Sequence, residues 1–208
     1  MGQERIFTPE ELDAMGARTL DLLQSSIEKG DKETARNLSQ RMYNEFLGMH
    51  DFYRDWLTAL LTFIGKRYGD EVLYAALRET VGDYTTRLNK RYANKSIRRK
   101  MEILVAGLRG HLHPLKVEED DEKFIITSHP CGSGGRLVQE GAYGPPGNFL
   151  KVKKPQPMTF QRSDFPVYCA HCYLQNISPT EPGGPPLFVT EPAQDLGKES
   201  CRIYFYKR

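Results

Sequence analysis

The residue types most able to do chemistry are grouped in two short stretches of the second half of the sequence. Residues 129–136 read His-Pro-Cys-Gly-Ser-Gly-Gly-Arg, and residues 168–172 read Tyr-Cys-Ala-His-Cys. The fourth cysteine is Cys201, so all four thiols fall in this half. A glycine-rich backbone can adopt conformations closed to other residues and can expose several N–H groups to one bound atom. The pattern predicts a functional site in the C-terminal half.

One interpretation of the thiols is a metal site. A helix over residues 165–177 would place Cys169 and Cys172, at positions i and i+3, on one face. Thiolates together with an imidazole favour zinc. The spacing is half of a zinc-ribbon motif, which would have a second Cys-x2-Cys. The candidate ligands are Cys131, Cys169, Cys172 and His171, with His129, Cys201 or water as alternatives for the fourth position.

A second interpretation makes Cys131 a nucleophile. The amides that follow it could stabilise a developing oxyanion, His129 or His171 would act as the base, and Arg136 could hold a substrate carboxylate bidentately. The catalytic candidates are therefore Cys131, His129, His171 and Arg136. Two further interpretations stay open for Cys169 and Cys172: a transient dithiol–disulfide pair, or small buried hydrophobic side chains.

Helical patterns dominate the first 110 residues. Residues 8–11, Thr-Pro-Glu-Glu, form a capping box that starts a helix expected to run to Gly30. A long amphipathic helix is expected from Asp31 to Gly69, with Gly48 as a potential break, and a third helix follows. A fourth begins at Ser96. His111 and His113 are interpreted as meeting the negative end of its dipole.

The hydrophobic period changes after Pro114. Residues 115–117 and 124–127 predict a β-hairpin, and residues 187–190 and 201–206 predict two more strands. Residues 137–160 are rich in Gly, Pro and Lys and are expected to form a long surface loop. The predicted fold class is α+β, with an N-terminal helical bundle (1–113) packed on a small C-terminal antiparallel sheet with one cysteine-bearing helix (114–208), together one composite domain.

Composition narrows the class of protein. With 39% hydrophobic and 27% charged residues, the chain is typical of soluble globular proteins. It contains no apolar run near the roughly 18 residues that span a bilayer and no signal-peptide pattern, so we expect a cytoplasmic protein. A net charge of +2 does not favour a nucleic-acid partner. We expect a small-molecule substrate or ligand, neither nucleic acid nor membrane as partner, and a possible homo-oligomer.

Three stretches carry a resemblance to a known family. Pro130-Cys131, the Tyr-Cys-Ala-His-Cys stretch at 168–172 and the Gly-Lys-Glu-Ser-Cys-Arg-Ile-Tyr-Phe-Tyr stretch at 197–206 resemble the bacterial L-2-amino-thiazoline-4-carboxylic acid hydrolase-like family. The resemblance implies a hydrolase that opens a ring containing sulfur and nitrogen, with cysteines near the reacting centre. The chain also resembles uncharacterised bacterial proteins with a Pro-Cys-Gly-Ser-Gly-Gly-Arg loop, and 4-vinyl reductase-type ligand-binding domains.

These observations lead to two hypotheses of different classes. The first is a hydrolase of non-peptide C–N bonds that acts on a small carboxylated nitrogen-containing compound. It would use either a cysteine-ligated zinc to activate water or Cys131 as nucleophile. The alternative is a metal-containing small-molecule binding or sensing module without turnover.

Overall fold

The N-terminal half is built from helices whose ends are set by local capping. In the computed structural model, which describes residues 6–128, 130–179 and 183–207, helix α1 spans Pro9–Gly16 and begins with the predicted capping box. The Thr8 hydroxyl accepts from the Glu11 N–H, and the Glu11 carboxylate accepts from the Thr8 N–H. The expected single helix to Gly30 is wrong, because the backbone is extended at Ala17 and Arg18, and a separate helix α2 covers Thr19–Glu28.

Helix α3 spans Lys32–Leu77 and follows the predicted long amphipathic stretch. Asp31 caps its start by accepting from the Thr34 N–H. Gly48 does not interrupt it, whereas Gly69 does, with a φ of 83° that side-chain-bearing residues rarely adopt. The predicted end of the helix at Gly69 is therefore confirmed as a break in the helical backbone, and the potential break at Gly48 is wrong.

The chain divides into two compact units, Met1–Tyr53 and Arg54–Arg208. The first unit contains α1, α2 and the beginning of α3, and Thr19 donates to Glu45 within it. The second unit contains the remaining helices and all strands. After a π-helical turn at Arg78–Gly82 come α4 (Asp83–Asn89), a 3-10 turn at Lys90–Tyr92, α5 (Ile97–Leu108) and a 3-10 turn at Arg109–His111.

A four-stranded antiparallel sheet forms the second part of this unit. Its strands are β1 (Leu115–Glu119), β2 (Lys123–Ser128), β5 (Val189–Glu191) and β6 (Cys201–Tyr206), in the order β1-β2-β6-β5. Leu115 pairs with Ser128, and Ser128 pairs with Cys201, so the start of β6 lies beside the end of β2. The predicted α+β class is confirmed.

The segment between β2 and β5 holds short elements rather than a loop. They are α6 (Gly134–Gln139), β3 (Lys151–Val152), a 3-10 turn at Pro157–Thr159, β4 (Phe165–Pro166), a 3-10 turn at Val167–Ala170 and α7 (His171–Asn176). The expected surface loop over 137–160 is wrong, because Leu137, Val152 and Met158 are fully buried. Val152 stands between two lysines and Met158 follows a proline, and the three buried residues form no periodic signal.

Two hydrophobic clusters support the second unit. In one, Met101 and Leu104 of α5 pack with Ile126 and Phe205 of the sheet. In the other, Leu73 and Leu77 of α3 pack with Val167 and Leu174, which flank the cysteines of the 168–172 stretch. None of the helices in the described ranges is both long enough and apolar enough to cross a membrane.

Candidate functional site

A cavity of about 120 Å³ lies where α5, the sheet, α6 and α7 meet. All four cysteines border it: Cys131, Cys169, Cys172 and Cys201. Two imidazoles, His111 and His171, also line it, while Leu108, Ile126, Phe188 and Ile203 are among its apolar walls. Among the described residues that line the cavity there is no lysine, arginine, aspartate or glutamate. Thiols and imidazoles are therefore its main chemically reactive groups.

Two glycines let the loop after β2 approach its neighbours closely. A Cβ at Gly132 would overlap the carbonyl oxygen of His111, and a Cβ at Gly134 would lie 2.6 Å from the sulfur of Cys169. Neither glycine has a positive φ. The expectation that these glycines supply unusual backbone conformations is therefore wrong; they supply space, which brings Cys131 against His111 and the start of α6 against Cys169.

Cys131 is the acidic thiol of the cavity. Burial by itself would raise its pKa, but a hydrogen bond with His111 and the charge of that ring act in the opposite direction, and the backbone N–H groups of Ser133 and Gly135 also donate to the sulfur. Together these interactions lower the pKa of Cys131 from 9.0 to about 6. At neutral pH the group is a thiolate, the form that acts as a nucleophile.

A chain of hydrogen bonds continues behind His111. Its Nδ1 lies 3.1 Å from the Ser133 hydroxyl, and the same ring is hydrogen-bonded to Cys131. The Ser133 side chain also bonds the Tyr168 hydroxyl. Burial raises the pKa of Tyr168 to about 12, so this phenol stays neutral. Ser133 and Tyr168 therefore orient the imidazole that faces the thiolate, the arrangement that an activated nucleophile requires.

A second thiol–imidazole pair lies in the same cavity. The Nδ1 of His171 bonds the carbonyl oxygen of Tyr168, and its Nε2 is 3.7 Å from the sulfur of Cys172. Burial lowers the pKa of His171 and raises that of Cys172 to about 12, so both are neutral at pH 7. Because a carbonyl only accepts, Nδ1 carries the ring proton and Nε2 offers a lone pair to the thiol.

The two remaining thiols are also protonated. Burial raises the pKa of Cys169 well above its ordinary value, and the nearby sulfurs of Cys172 and Cys131 add to this effect. Burial likewise raises the pKa of Cys201 to about 11, although this sulfur accepts an N–H from Ala193. The cavity thus holds one thiolate among three neutral thiols.

The residues proposed from the sequence have different positions. Cys131 and His171 line the cavity, whereas His129 lies outside the described residues. The Arg136 guanidinium donates to the Glu140 carboxylate and to the Gly132 carbonyl, and it is not among the residues that line the cavity. Its predicted contact with a substrate carboxylate stays a prediction. The 165–177 segment is not one helix, and Cys169 and Cys172 fall on either side of the junction between a 3-10 turn and α7.

His111 is the functional candidate that sequence reasoning missed. The sequence places it at the end of a helix, and His111 does close the 3-10 turn that follows α5. Its contact with Cys131 joins residues 20 positions apart, which no local pattern reveals. The one feature of the sequence that reflects this contact is Gly132. A side chain at this position would overlap the backbone of His111, so the position requires glycine.

The structure also shows where the predicted zinc ligands lie. The predicted ligands Cys131, Cys169, Cys172 and His171 all border the cavity. Within residues 6–128, 130–179 and 183–207, however, no group of three or more His, Cys, Asp or Glu side chains is arranged to hold a metal ion. Zinc stays a prediction.

The chain was compared with protein-family models, with curated proteins and with solved structures. No family model, no curated protein and no solved structure matches the chain.

Proposed function

We propose that this protein is a cysteine-dependent hydrolase of small nitrogen-containing compounds, with Cys131 as the nucleophile and His111 as its acid–base partner. The observation that carries the proposal is the Cys131–His111 pair at the wall of an apolar cavity. A thiolate held by an imidazole and two backbone amides is an established way to activate a cysteine for attack on carbon.

The first step is formation of a covalent intermediate. The Cys131 sulfur attacks the electrophilic carbon of a C–N group, and the nitrogen leaves as an amine. The His111 ring is hydrogen-bonded to the sulfur, so in this step it lies where it can give a proton to the departing nitrogen. As sulfur loses its charge on bonding to carbon, the ring loses its proton to the leaving group, and the two charges of the pair disappear together.

The second step releases the product. Neutral His111 accepts a proton from water, and the resulting hydroxide attacks the carbon bound to Cys131. The thiolate then leaves, and the imidazolium forms again beside it. Ser133 supports this cycle because its hydroxyl can accept from Nδ1–H in either protonation state of the ring.

The apolar lining of the cavity favours a substrate whose reacting group is uncharged. Water is largely excluded from apolar walls, and an ion brought there without an opposite charge would lose hydration energy. The described lining supplies neither a lysine nor an arginine to receive a carboxylate. The part of the substrate that enters the cavity is therefore neutral, and any carboxylate of the substrate remains outside it.

Release of 4-nitroaniline from 4-nitroacetanilide, a small neutral anilide, tests the proposal. The expected result is turnover together with an acetyl group found on Cys131 by mass spectrometry of the quenched protein. Cys131→Ala should abolish both signals, and His111→Ala should lower the rate about 100-fold or more, as loss of an acid–base group does. Cys201→Ser is the matched thiol variant, because it removes a cavity thiol without touching the pair.

Metal content measured on the same sample separates the alternatives. About one zinc per chain, with Cys131, Cys169 and Cys172 unreactive until chelation, would contradict the free nucleophile and favour the cysteine-ligated zinc of the sequence analysis. Tight binding of the anilide with no release of 4-nitroaniline by any variant would favour the binding or sensing module without turnover.

A further inference from the structure

The pair formed by Cys172 and His171 has no role in the hydrolysis proposed above. It nevertheless reproduces the main elements of a reactive thiol site: a sulfur that borders the cavity, and an imidazole nitrogen 3.7 Å away whose lone pair faces that sulfur. The tautomer is fixed by the bond between Nδ1 and the Tyr168 carbonyl. Cys172 is therefore a protonated thiol with a proton acceptor beside it.

We propose that Cys131 and Cys172 form a redox-active dithiol that reduces small organic hydroperoxides bound in the cavity. The inference rests on the Cys131 nucleophile of the proposed function and adds a second activity and a partner thiol to it. Cys131 and Cys172 both border the same cavity of about 120 Å³. In agreement with this placement, the negative charge of Cys131 is, after burial, the largest cause of the raised pKa of Cys172.

The first chemical step oxidises Cys131. Its thiolate attacks the terminal oxygen of the hydroperoxide, the O–O bond breaks, and the electron pair leaves on the alkoxide. Protonated His111 gives its proton to the alkoxide, which departs as an alcohol. Cys131 is then a sulfenic acid, and sulfur has lost the two electrons that the peroxide has gained.

The second step uses Cys172. His171 Nε2 accepts the thiol proton, and the Cys172 sulfur attacks the sulfenic sulfur of Cys131. An S–S bond forms, the S–O bond breaks, and the hydroxide takes the proton from His171 and leaves as water. The sum is dithiol plus hydroperoxide giving disulfide, alcohol and water. An external thiol such as dithiothreitol reduces the disulfide and takes up its oxidising equivalents.

Cys172 suits the resolving step better than the other two thiols. Cys169 packs against Gly134, and Cys201 accepts the N–H of Ala193; among the described contacts, neither has an imidazole as partner. A cavity of about 120 Å³ with apolar walls fits a small uncharged hydroperoxide. Larger charged oxidants such as glutathione disulfide match neither its size nor its walls.

The test treats reduced full-length protein with tert-butyl hydroperoxide and maps its cysteines by mass spectrometry. Wild type and Cys201→Ser should each lose two hydrogens and yield a peptide pair joined through Cys131 and Cys172. Cys172→Ser should lose this disulfide and accumulate a sulfenic acid at Cys131 that dimedone traps. A disulfide between any other pair, or Cys172→Ser that behaves as wild type, would overturn the assignment.

Alkylation of the same variants by iodoacetamide separates failure of this inference from failure of the proposed function. Selective labelling of Cys131 without a peroxide-induced disulfide would refute the dithiol and leave the nucleophile intact. If iodoacetamide shows no preference for Cys131, both proposals fail.

Discussion

At the residue scale, the proposed chemistry depends on the pKa of one thiol being different from the pKa values of the other three. The four cysteines border one cavity, yet only Cys131 has its pKa lowered, to about 6. Burial acts in the same direction on all four thiols, so the difference comes from specific donors. His111 supplies a hydrogen bond and a charge, and two backbone amides supply the rest.

Replacing His111 should raise the pKa of Cys131 and so remove much of its difference from the other three thiols. In wild type, the rate of iodoacetamide labelling at Cys131 should rise with pH through a midpoint near 6, because the rate follows the thiolate fraction. In His111→Ala we expect the midpoint to move upward by at least about one pH unit, since each unit represents about 1.4 kcal/mol of lost interaction with the thiolate. Peptide-resolved labelling between pH 5 and pH 10 measures both midpoints.

His171→Asn is the matched control for that experiment. His171 is one of the two bases that the sequence proposed for Cys131, but its Nε2 faces Cys172 and its imidazole is neutral. The midpoint for Cys131 should therefore stay close to the wild-type value. A larger shift in His171→Asn than in His111→Ala would contradict the assignment of the pair.

At the element scale, the site is made by two connections that meet rather than by one motif. The loop after β2 carries Cys131, and the 3-10 turn after α5 carries His111. Each of these two connections follows an element that is anchored by packing. Met101 and Leu104 of α5 and Ile126 of β2 belong to the same buried hydrophobic cluster. Contact between the two turns is possible because residue 132 has no side chain.

Gly132→Ala tests this contact directly. The added methyl group would overlap the His111 carbonyl oxygen, so one of the two turns must move. We expect a loss of about 1–3 kcal/mol in the free energy of unfolding, the usual cost of overpacking. The pKa of Cys131 should also rise toward 9.0, because the bond with His111 lengthens. Urea denaturation and the iodoacetamide pH profile measure the two effects.

Gly107→Ala provides the comparison within α5. No atom lies within 4 Å of a Cβ placed there, so only helix propensity changes. The substitution should stabilise the protein by up to about 1 kcal/mol and leave the Cys131 profile unaltered. Equal destabilisation by both substitutions would show that the effect at residue 132 is not specific to the His111 contact.

At the scale of the whole molecule, the same four thiols should shape the pH dependence of stability. The folded-state pKa of Cys131 is lower than its unfolded value, so the unfolded chain binds more protons between pH 6 and 9 and stability rises with pH there. Cys172 and Cys201 have raised pKa values, about 12 and 11. The folded chain therefore binds more protons above pH 9, and their contribution falls with increasing pH.

The contribution of Cys131 to the increase of stability with pH is measured by the difference in the free energy of unfolding between wild type and Cys131→Ser. We expect this difference to grow by about 1 kcal/mol per pH unit between pH 6 and 9, because serine does not titrate in this range. Urea denaturation under reducing conditions at pH 6, 7.5 and 9 measures it. A difference that does not change with pH would mean that Cys131 is a neutral thiol in the folded protein.

The sequence by itself determined the fold class, several element boundaries and the grouping of all four thiols in the second half of the chain. Capping at Thr8, Asp31 and Ser96, and alternation in the hairpin and in β6, are local signals, since each depends on residues a few positions apart. Cys131 was identified for a related reason, because a thiol in a glycine-rich stretch is unusual wherever it occurs. These predictions needed no knowledge of distant contacts.

Only the tertiary structure decided which imidazole lies beside which thiol: His111 beside Cys131 and His171 beside Cys172. The sequence proposed His129 or His171 for Cys131. His129 lies outside the described residues, His171 faces Cys172, and the bond to Cys131 comes from His111, at the end of another helix. The tertiary structure also placed Val152 and Met158, from an expected loop, in the core. Pairings of this kind depend on how α5, the sheet and the 130–179 segment pack together. Packing is a collective minimum of many long-range contacts, so no short stretch of sequence encodes it.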